Sequence, residues 1–281
     1  MKYAICNETY GDLPHELVCE RVAAAGYTGL EIAPYTLAPL ITQITPTQRA
    51  VIRRTAEAAG LHILGLHWLF AKTTDFGLTS PEEATRRATS AYLVELARCC
   101  AELGGTILVL GSPMVRNIPP GCTRGQATAN ALLCLDPVLD ILSDTGVTLA
   151  LEPLTLKETD FLNTAGEAVD VIEQLGSPMV RLHLDVKAMT AEPVSAADTI
   201  RKYAGHLAHF HANDPNLRGP GFGDTCFRPI LAALAAVRYT GYISVEVFDY
   251  SPDADTIAER SLAYLRHCES PTLTPPQGVP R

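Results

Sequence analysis

No stretch of the 281-residue chain approaches the run of about 18 apolar residues that a membrane-crossing helix needs. Positive charge is scarce as well: 22 Lys and Arg stand against 31 Asp and Glu, a formal net charge of −9. Non-specific nucleic-acid binding draws most of its affinity from cations that neutralise phosphates, so neither a membrane nor a nucleic-acid partner is expected. The segment Met1-Lys-Tyr-Ala-Ile-Cys6 has no basic region followed by a long apolar stretch and no cleavage site. A soluble cytoplasmic protein is the expectation. Eight cysteines are present without C-x-x-C spacing, and Cys6, Cys19, Cys99, Cys100 and Cys134 fall inside apolar patterns. They read as small buried hydrophobes rather than disulfides or thiolate ligands.

Hydrophobic residues, by contrast, make up 47% of the chain and gather in eight short runs, at residues 3–7, 29–33, 62–67, 106–111, 147–152, 180–185, 207–211 and 242–247. Each run is followed by a segment of helical periodicity, as in Leu135, Val138, Leu139 and Leu142, or Ile230, Leu231, Leu234 and Val237. Thr45-Pro-Thr-Gln48, Ser80-Pro-Glu-Glu83 and Thr164-Ala-Gly-Glu167 match the capping box, and Ser251-Pro252 is expected to start the last helix. Pro137 should interrupt the fourth helix. Alternating β and α units allow an α/β fold of two kinds, an open doubly wound sheet or a closed barrel. Eight repeats favour a (β/α)8 TIM barrel, formed as one domain over residues 1–268 and followed by a loose Pro- and Thr-rich tail, 269–281.

Four polar residues close four successive runs: Glu152, Asp185, His211 and Glu246. They are spaced by about one βα unit, roughly 30 residues, so a barrel brings them to one cup at the C-terminal ends of its strands. Like charges ~4 Å apart cost roughly 4 kcal/mol per pair at an effective dielectric of about 20, and a divalent cation removes that conflict. The oxygen-rich set suits Mn²⁺, Mg²⁺ or Co²⁺, with Zn²⁺ also compatible. His183 and His209 lie two residues before Asp185 and His211, on the same strand face, and are expected as a second layer behind the ligands. His67 ends strand three beside Trp68; it could bind a hydroxyl while the indole stacks on a sugar, or pack in the rim. Glu31, ending strand two in Gly-Leu-Glu31-Ile, either orients a ligand or makes a structural salt bridge, with the salt bridge favoured, and Asn7 is ambiguous. Gly219, Gly221 and Gly223 either let backbone amides approach a phosphate or mark a tight turn.

Taken jointly, Glu152-Pro-Leu with Glu158, Leu-Asp185, His209-Phe-His211, Arg218-Gly-Pro-Gly-Phe-Gly223 and Ser244-Val-Glu246 resemble the sugar phosphate isomerase/epimerase superfamily, with its xylose isomerase-like barrel. That superfamily includes ketose 3-epimerases, hydroxypyruvate isomerases and inosose dehydratases, and the resemblance spans nearly the whole chain. It implies that Glu152, Asp185, His211 and Glu246 bind one divalent metal, that Glu152 and Glu246 exchange protons with substrate carbon, and that Glu158 and Arg218 contact the sugar. The chain departs from the ketose 3-epimerase pattern after Asp185, where Asp-x-x-His is replaced by Asp185-Val-Lys-Ala188. Lys187 is a candidate replacement donor, with a solvent-facing lysine as the alternative.

The activity expected from this resemblance is isomerisation or epimerisation of a hydroxycarbonyl carbohydrate through an enediolate. A metal-dependent lyase on the same scaffold, such as a dehydratase or an enzyme cleaving 3-oxo-glycosides, is the alternative. A non-catalytic sugar-binding barrel and an abasic-site endonuclease are more remote, the latter needing about three metals and a basic groove. Exposed barrel faces commonly associate in this family, so a homo-oligomer is possible.

Overall fold

The computed structural model describes residues 1–269. Eight parallel strands, β1 (Lys2–Cys6), β2 (Gly29–Ile32), β3 (His62–Leu66), β4 (Ile107–Leu110), β5 (Thr148–Leu151), β6 (Val180–Asp185), β7 (Leu207–Ala212) and β8 (Tyr242–Val245), pair in sequence order and close as β8 meets β1. The helices are α1 (His15–Ala24), α2 (Pro46–Ala58), α3 (Glu83–Glu102), α4 (Arg124–Leu135), α5 (Leu139–Thr145), α6 (Ala165–Leu175), α7 (Val186–Met189), α8 (Ala196–Lys202), α9 (Phe227–Ala236) and α10 (Ala254–Glu269). The sequence-derived strand positions hold to within two residues at every end. Glu269 completes α10 and bonds to the Met1 amino group and Tyr3; the rest of the expected tail lies outside the described residues.

Strand alternation divides the core into two zones. Outward-facing Leu30, Ile32, Leu182, Leu184 and Phe210 pack beneath the helices in the main apolar cluster, each burial stabilising by roughly 1.5–3 kcal/mol. Inward-facing positions of the same strands carry Glu31, His183, Asp185, His209 and His211, all buried. The barrel interior is therefore polar toward its C-terminal end.

Helix starts follow the sequence in part. Thr45 makes both halves of a capping box with Gln48, and Thr123 does the same with Gln126, a pair the sequence reading passed over. Thr164 caps the Glu167 amide, but Glu167 reaches back to the Asn163 amide instead. The expected box at Ser80 does not form: its hydroxyl accepts from the Glu82 amide at 3.2 Å, and α3 starts only at Glu83. Nor does Ser251 start α10; the carboxylate of Asp253 takes the Thr256 amide at 2.8 Å and sets the helix start at Ala254. Pro137 interrupts α4 as expected, leaving a 3₁₀ turn (Asp136–Val138) before α5.

Candidate metal centre and active site

Glu152 follows the last residue of β5, Asp185 ends β6, His211 lies near the end of β7 and Glu246 follows β8. Register pairing sets Asp185 beside His211, and His183 beside His209 one layer below. Ligand atoms of Glu152, His183, Asp185 and His211 lie within 4.8 Å of one another. Glu246 Oε2 stands 3.2 Å from His211 Nδ1. All four sequence-derived metal ligands thus converge, and His183, expected one layer back, stands among them. Above them opens a cavity of about 310 Å³ lined by Glu152, Glu158, Glu246, Trp68, Phe248 and Met114, among others.

The electrostatics show what this crowding costs. Burial, then the charges of Glu246 and Asp185, push the Glu152 carboxyl up to about 8. Burial and Glu246 raise Asp185 to about 6. Burial would raise Glu246 too, but the neighbouring His211 outweighs it and holds Glu246 below the ordinary carboxylate range. The imidazole of His211, which burial alone would make less basic, is lifted well above its usual value by Glu31 and Glu246. Three carboxyls here cannot all ionise easily without another positive charge.

Several buried atoms fit a cation as that charge. His211 Nδ1 and Glu246 Oε2 face each other without hydrogen-bond alignment, and neither has another hydrogen-bond partner; both nitrogens of His183 also lack a hydrogen bond, Nε2 standing 3.9 Å from Glu152 Oε1. The opposite nitrogen of His211, Nε2, lies 3.2 Å from both oxygens of Glu31. A carboxylate behind an imidazole fixes the tautomer of metal-binding histidines and leaves the other nitrogen free to ligate. Asn213 adds a hydrogen bond to Asp185 Oδ2, and the Ala188 amide bonds Oδ1 at 2.8 Å. A donor set of three carboxylates and one or two imidazoles suits a divalent ion of the Mn²⁺ or Mg²⁺ kind.

The remaining sequence candidates divide. Glu158 lines the cavity and receives Lys187 Nζ at 2.6 Å. Lys187 is not solvent-facing; its side chain is 11% exposed, and its ammonium lies 4.3 Å from the centroid of the Phe248 ring. Arg218 does not line the cavity: its Nε donates to Asp249 at 2.8 Å on the outer rim. His67 is fully buried, 2.9 Å from Glu8, and does not line the cavity, although its ligand atom, with those of Glu8 and Glu246, forms a group within 4.8 Å. Trp68 does line the cavity, but its ring stacks with Tyr35 and Phe248, and its Nε1 donates to Glu246 Oε1 at 2.8 Å. The indole that lines the cavity thus also stacks with two protein rings. In the glycine loop, a Cβ at Gly223 would meet the Asp214 carboxylate at 2.2 Å. An acidic side chain fills that turn, which favours the tight-turn reading over phosphate binding. Asn7 braces the loop after β2 through Thr36 and the Ala33 amide.

Glu31 makes the ion-pair contacts expected of it, with His209 Nε2 at 2.8 Å and His211 Nε2 at 3.2 Å, and stands directly behind the centre. Two participants, Glu8 and Arg116, escaped the sequence reading. Glu8 is buried against His67. Arg116 is fully buried, and its Nη1 donates to the Glu152 carbonyl at 2.6 Å, tying the β4 loop to the end of β5. A glutamate next to a strand end was a readable signal for Glu8. Nothing local marks Arg116.

Residues 19–268 match the family described as xylose isomerase-like TIM barrel. The chain belongs to that family. It is 29% identical over 233 residues to a D-psicose 3-epimerase from Agrobacterium fabrum, a match covering 82% of this chain and 78% of that protein. Among solved structures, a D-psicose 3-epimerase crystallised in the presence of D-fructose superposes with a TM-score of 0.84 at 24% identity, covering 96% of this chain and 99% of the other. A 3-keto-D-glucoside 4-epimerase from E. coli superposes with a TM-score of 0.83 at 20% identity, covering 95% and 100%. The resemblance read from the sequence motifs and the expected barrel both hold. Among the described residues, no helix is long and apolar enough to cross a membrane.

Proposed function

We propose that this family member is a divalent-metal-dependent sugar epimerase acting on a ketose, with Glu152 and Glu246 exchanging protons with the carbon next to the carbonyl. The observation that carries this reading is the presence of both glutamates in one cavity, approaching from β5 and β8, with Asp185 and His211 of the intervening strands between them. Glu152, Asp185, His211 and Glu246 would hold the ion. When bound, it supplies Lewis acidity that favours negative charge on the substrate's carbonyl oxygen.

The protein's side chains do the rest. Glu246, which His211 holds below the ordinary carboxylate range in the cation-free cup, would accept the proton on its side of the substrate. Glu152 would face the substrate from the other strand and return a proton on the opposite side; the rise to about 8 belongs to the cation-free cup, where burial, Glu246 and Asp185 oppose its charge, and that proton is displaced when an ion binds. Two carboxyls on opposite sides of the substrate are what acceptance on one face and donation on the other requires. Lys187 and Glu158 present a donor and an acceptor together, a pairing that fits a substrate hydroxyl. Arg218 would reach the substrate only by leaving Asp249.

The ketose 3-epimerase and D-psicose 3-epimerase relatives support this substrate class. Both cavity-side lysines are engaged, Lys187 by Glu158 and Lys72 over the Tyr35 ring at 4.1 Å, which favours an unphosphorylated sugar. Mn²⁺, Mg²⁺ or Co²⁺ is the preferred ion. A cytoplasmic location, association into a homo-oligomer and the lack of a nucleic-acid partner accompany this reading.

Ala188 stands where a histidine was expected, and Lys187 turns into the cup beside it. That change keeps a second substrate class open, a 3-oxo-glycoside either epimerised or cleaved by a lyase. The test is a screen of metal-loaded protein against ketoses, keto-acids, inososes and 3-oxo-glycosides, with products identified by NMR. A ketose converted to its C3 epimer by the wild type and not by Glu152→Gln or Glu246→Gln supports the proposal. Turnover confined to 3-oxo-glycosides would transfer it to the second class, and binding without turnover would defeat it.

A further inference from the structure

Trp68 is the chain's single tryptophan, and three features of it are unusual together. Its φ is 51°, in the left-handed region that a bulky non-glycine residue rarely adopts. Its ring lies 5.9 Å from Tyr35 at 26° and 5.8 Å from Phe248 at 22°, so it stacks with side chains from the loops after β2 and β8. Its only polar atom donates to Glu246 at 2.8 Å. Backbone strain that persists at a site indicates that the surroundings over-determine the conformation. Here the outcome of that conformation is an indole N–H aimed at one carboxylate oxygen.

We propose that Trp68 is the positioning residue for Glu246: its N–H holds Oε1 and thereby turns Oε2 toward His211 and the centre of the cup. The role rests on the catalytic reading of Glu246 given above. A glutamate has three rotatable side-chain bonds and comes from the first position past β8, so the strand alone does not fix its carboxylate. One oxygen held from outside leaves a single oxygen facing inward. That arrangement favours one-oxygen ligation and keeps the carboxylate plane fixed relative to the substrate carbon. Tyr35 and Phe248 hold the indole plane, and Lys72 and Lys187 lie over those two rings. The rim stack thus reaches from the loop after β3 to the ion pair with Glu158 and sets the aim of a catalytic carboxylate.

Because there is one tryptophan, replacing it throughout the protein alters position 68 alone. In protein labelled with ¹⁵N at the indole, without metal, the single indole N–H resonance should be shifted downfield and slow to exchange with solvent, and Glu246→Gln should move it. An indole resonance at the free-amino-acid position that does not respond to Glu246→Gln would overturn the proposal, whether or not the protein is an epimerase. For the kinetic arm, β-(3-benzothienyl)alanine replaces N–H by sulfur with little change in shape, so loss of stacking and failure to fold are avoided; the melting temperature is the control. With a substrate turned over by the wild type, kcat should fall roughly 10–100-fold while KM stays near its wild-type value, as for loss of an outer partner of a site residue. Unchanged kcat would overturn the proposal. If the wild type turns over no sugar, the epimerase reading fails while the NMR arm still decides the role of Trp68.

Discussion

Gly111 and Glu152 occupy space that only a glycine leaves open: a Cβ at position 111 would stand 1.6 Å from Glu152 Oε2. No rotation of a methyl group relieves that overlap, so a larger residue must displace the carboxylate. Gly111→Ala should therefore weaken metal binding and activity about as much as loss of a residue that orients a ligand, roughly 10–100-fold, with the barrel intact by circular dichroism. Calorimetric titration with Mn²⁺ checks it; wild-type affinity in the variant would show that Glu152 is not a ligand in this position.

Glu31 should prove as important to the ion as a direct ligand's neighbour can be. Glu31→Gln keeps the shape but removes the charge behind His211 and His209. The expected result is a drop in metal affinity of roughly 10–100-fold, with the largest loss at neutral pH. Titration of the variant with Mn²⁺ between pH 6 and 8 measures it.

Metal affinity should rise with pH. A cation must displace the protons that Glu152 holds to about 8 and Asp185 to about 6, so binding tightens and fewer protons are released per ion as pH climbs through this window. The sign for cation-free stability is the reverse. Both carboxyls titrate higher folded than unfolded, so their contribution is present below the unfolded value and is lost as pH rises through about 6 and then about 8. The thermal shift produced by a saturating ion should thus be larger at pH 8 than at pH 6. Differential scanning fluorimetry across the range tests both signs.

Lys187→Met should act on substrate rather than on the ion. Lys187 holds Glu158 below its usual range against the burial that would raise it. A hydrogen bond to a charged group contributes about 1.5–3 kcal/mol, so kcat/KM should fall roughly 10–100-fold, with Mn²⁺ affinity changed far less. Steady-state kinetics and metal titration on one preparation separate the two effects.

The pattern of successes and misses in the sequence has a physical basis. Asp185, His211 and their lower neighbours were legible because strand alternation and barrel closure convert position in an apolar run into position in space. The same holds for Glu152 and Glu246, each one residue beyond its strand. Contacts made between loops were not legible. Arg218 sits in a motif that pointed to the substrate, yet Asp249 from the next loop engages it. His67 closes its strand but meets Glu8, whose turn buries both. Helix starts failed where a competing local acceptor existed, as with Asp253 downstream of Ser251.

The most direct test follows the proton itself. Metal-loaded protein is incubated with a ketose that it converts, in D₂O, and deuterium at C3 of the recovered sugars is measured by NMR for the wild type, Glu152→Gln and Glu246→Gln. The account predicts deuterium at C3 of the epimeric product with the wild type and loss of epimerisation in both variants. Epimer formed without solvent deuterium, or undiminished turnover when both glutamates are replaced, would contradict it.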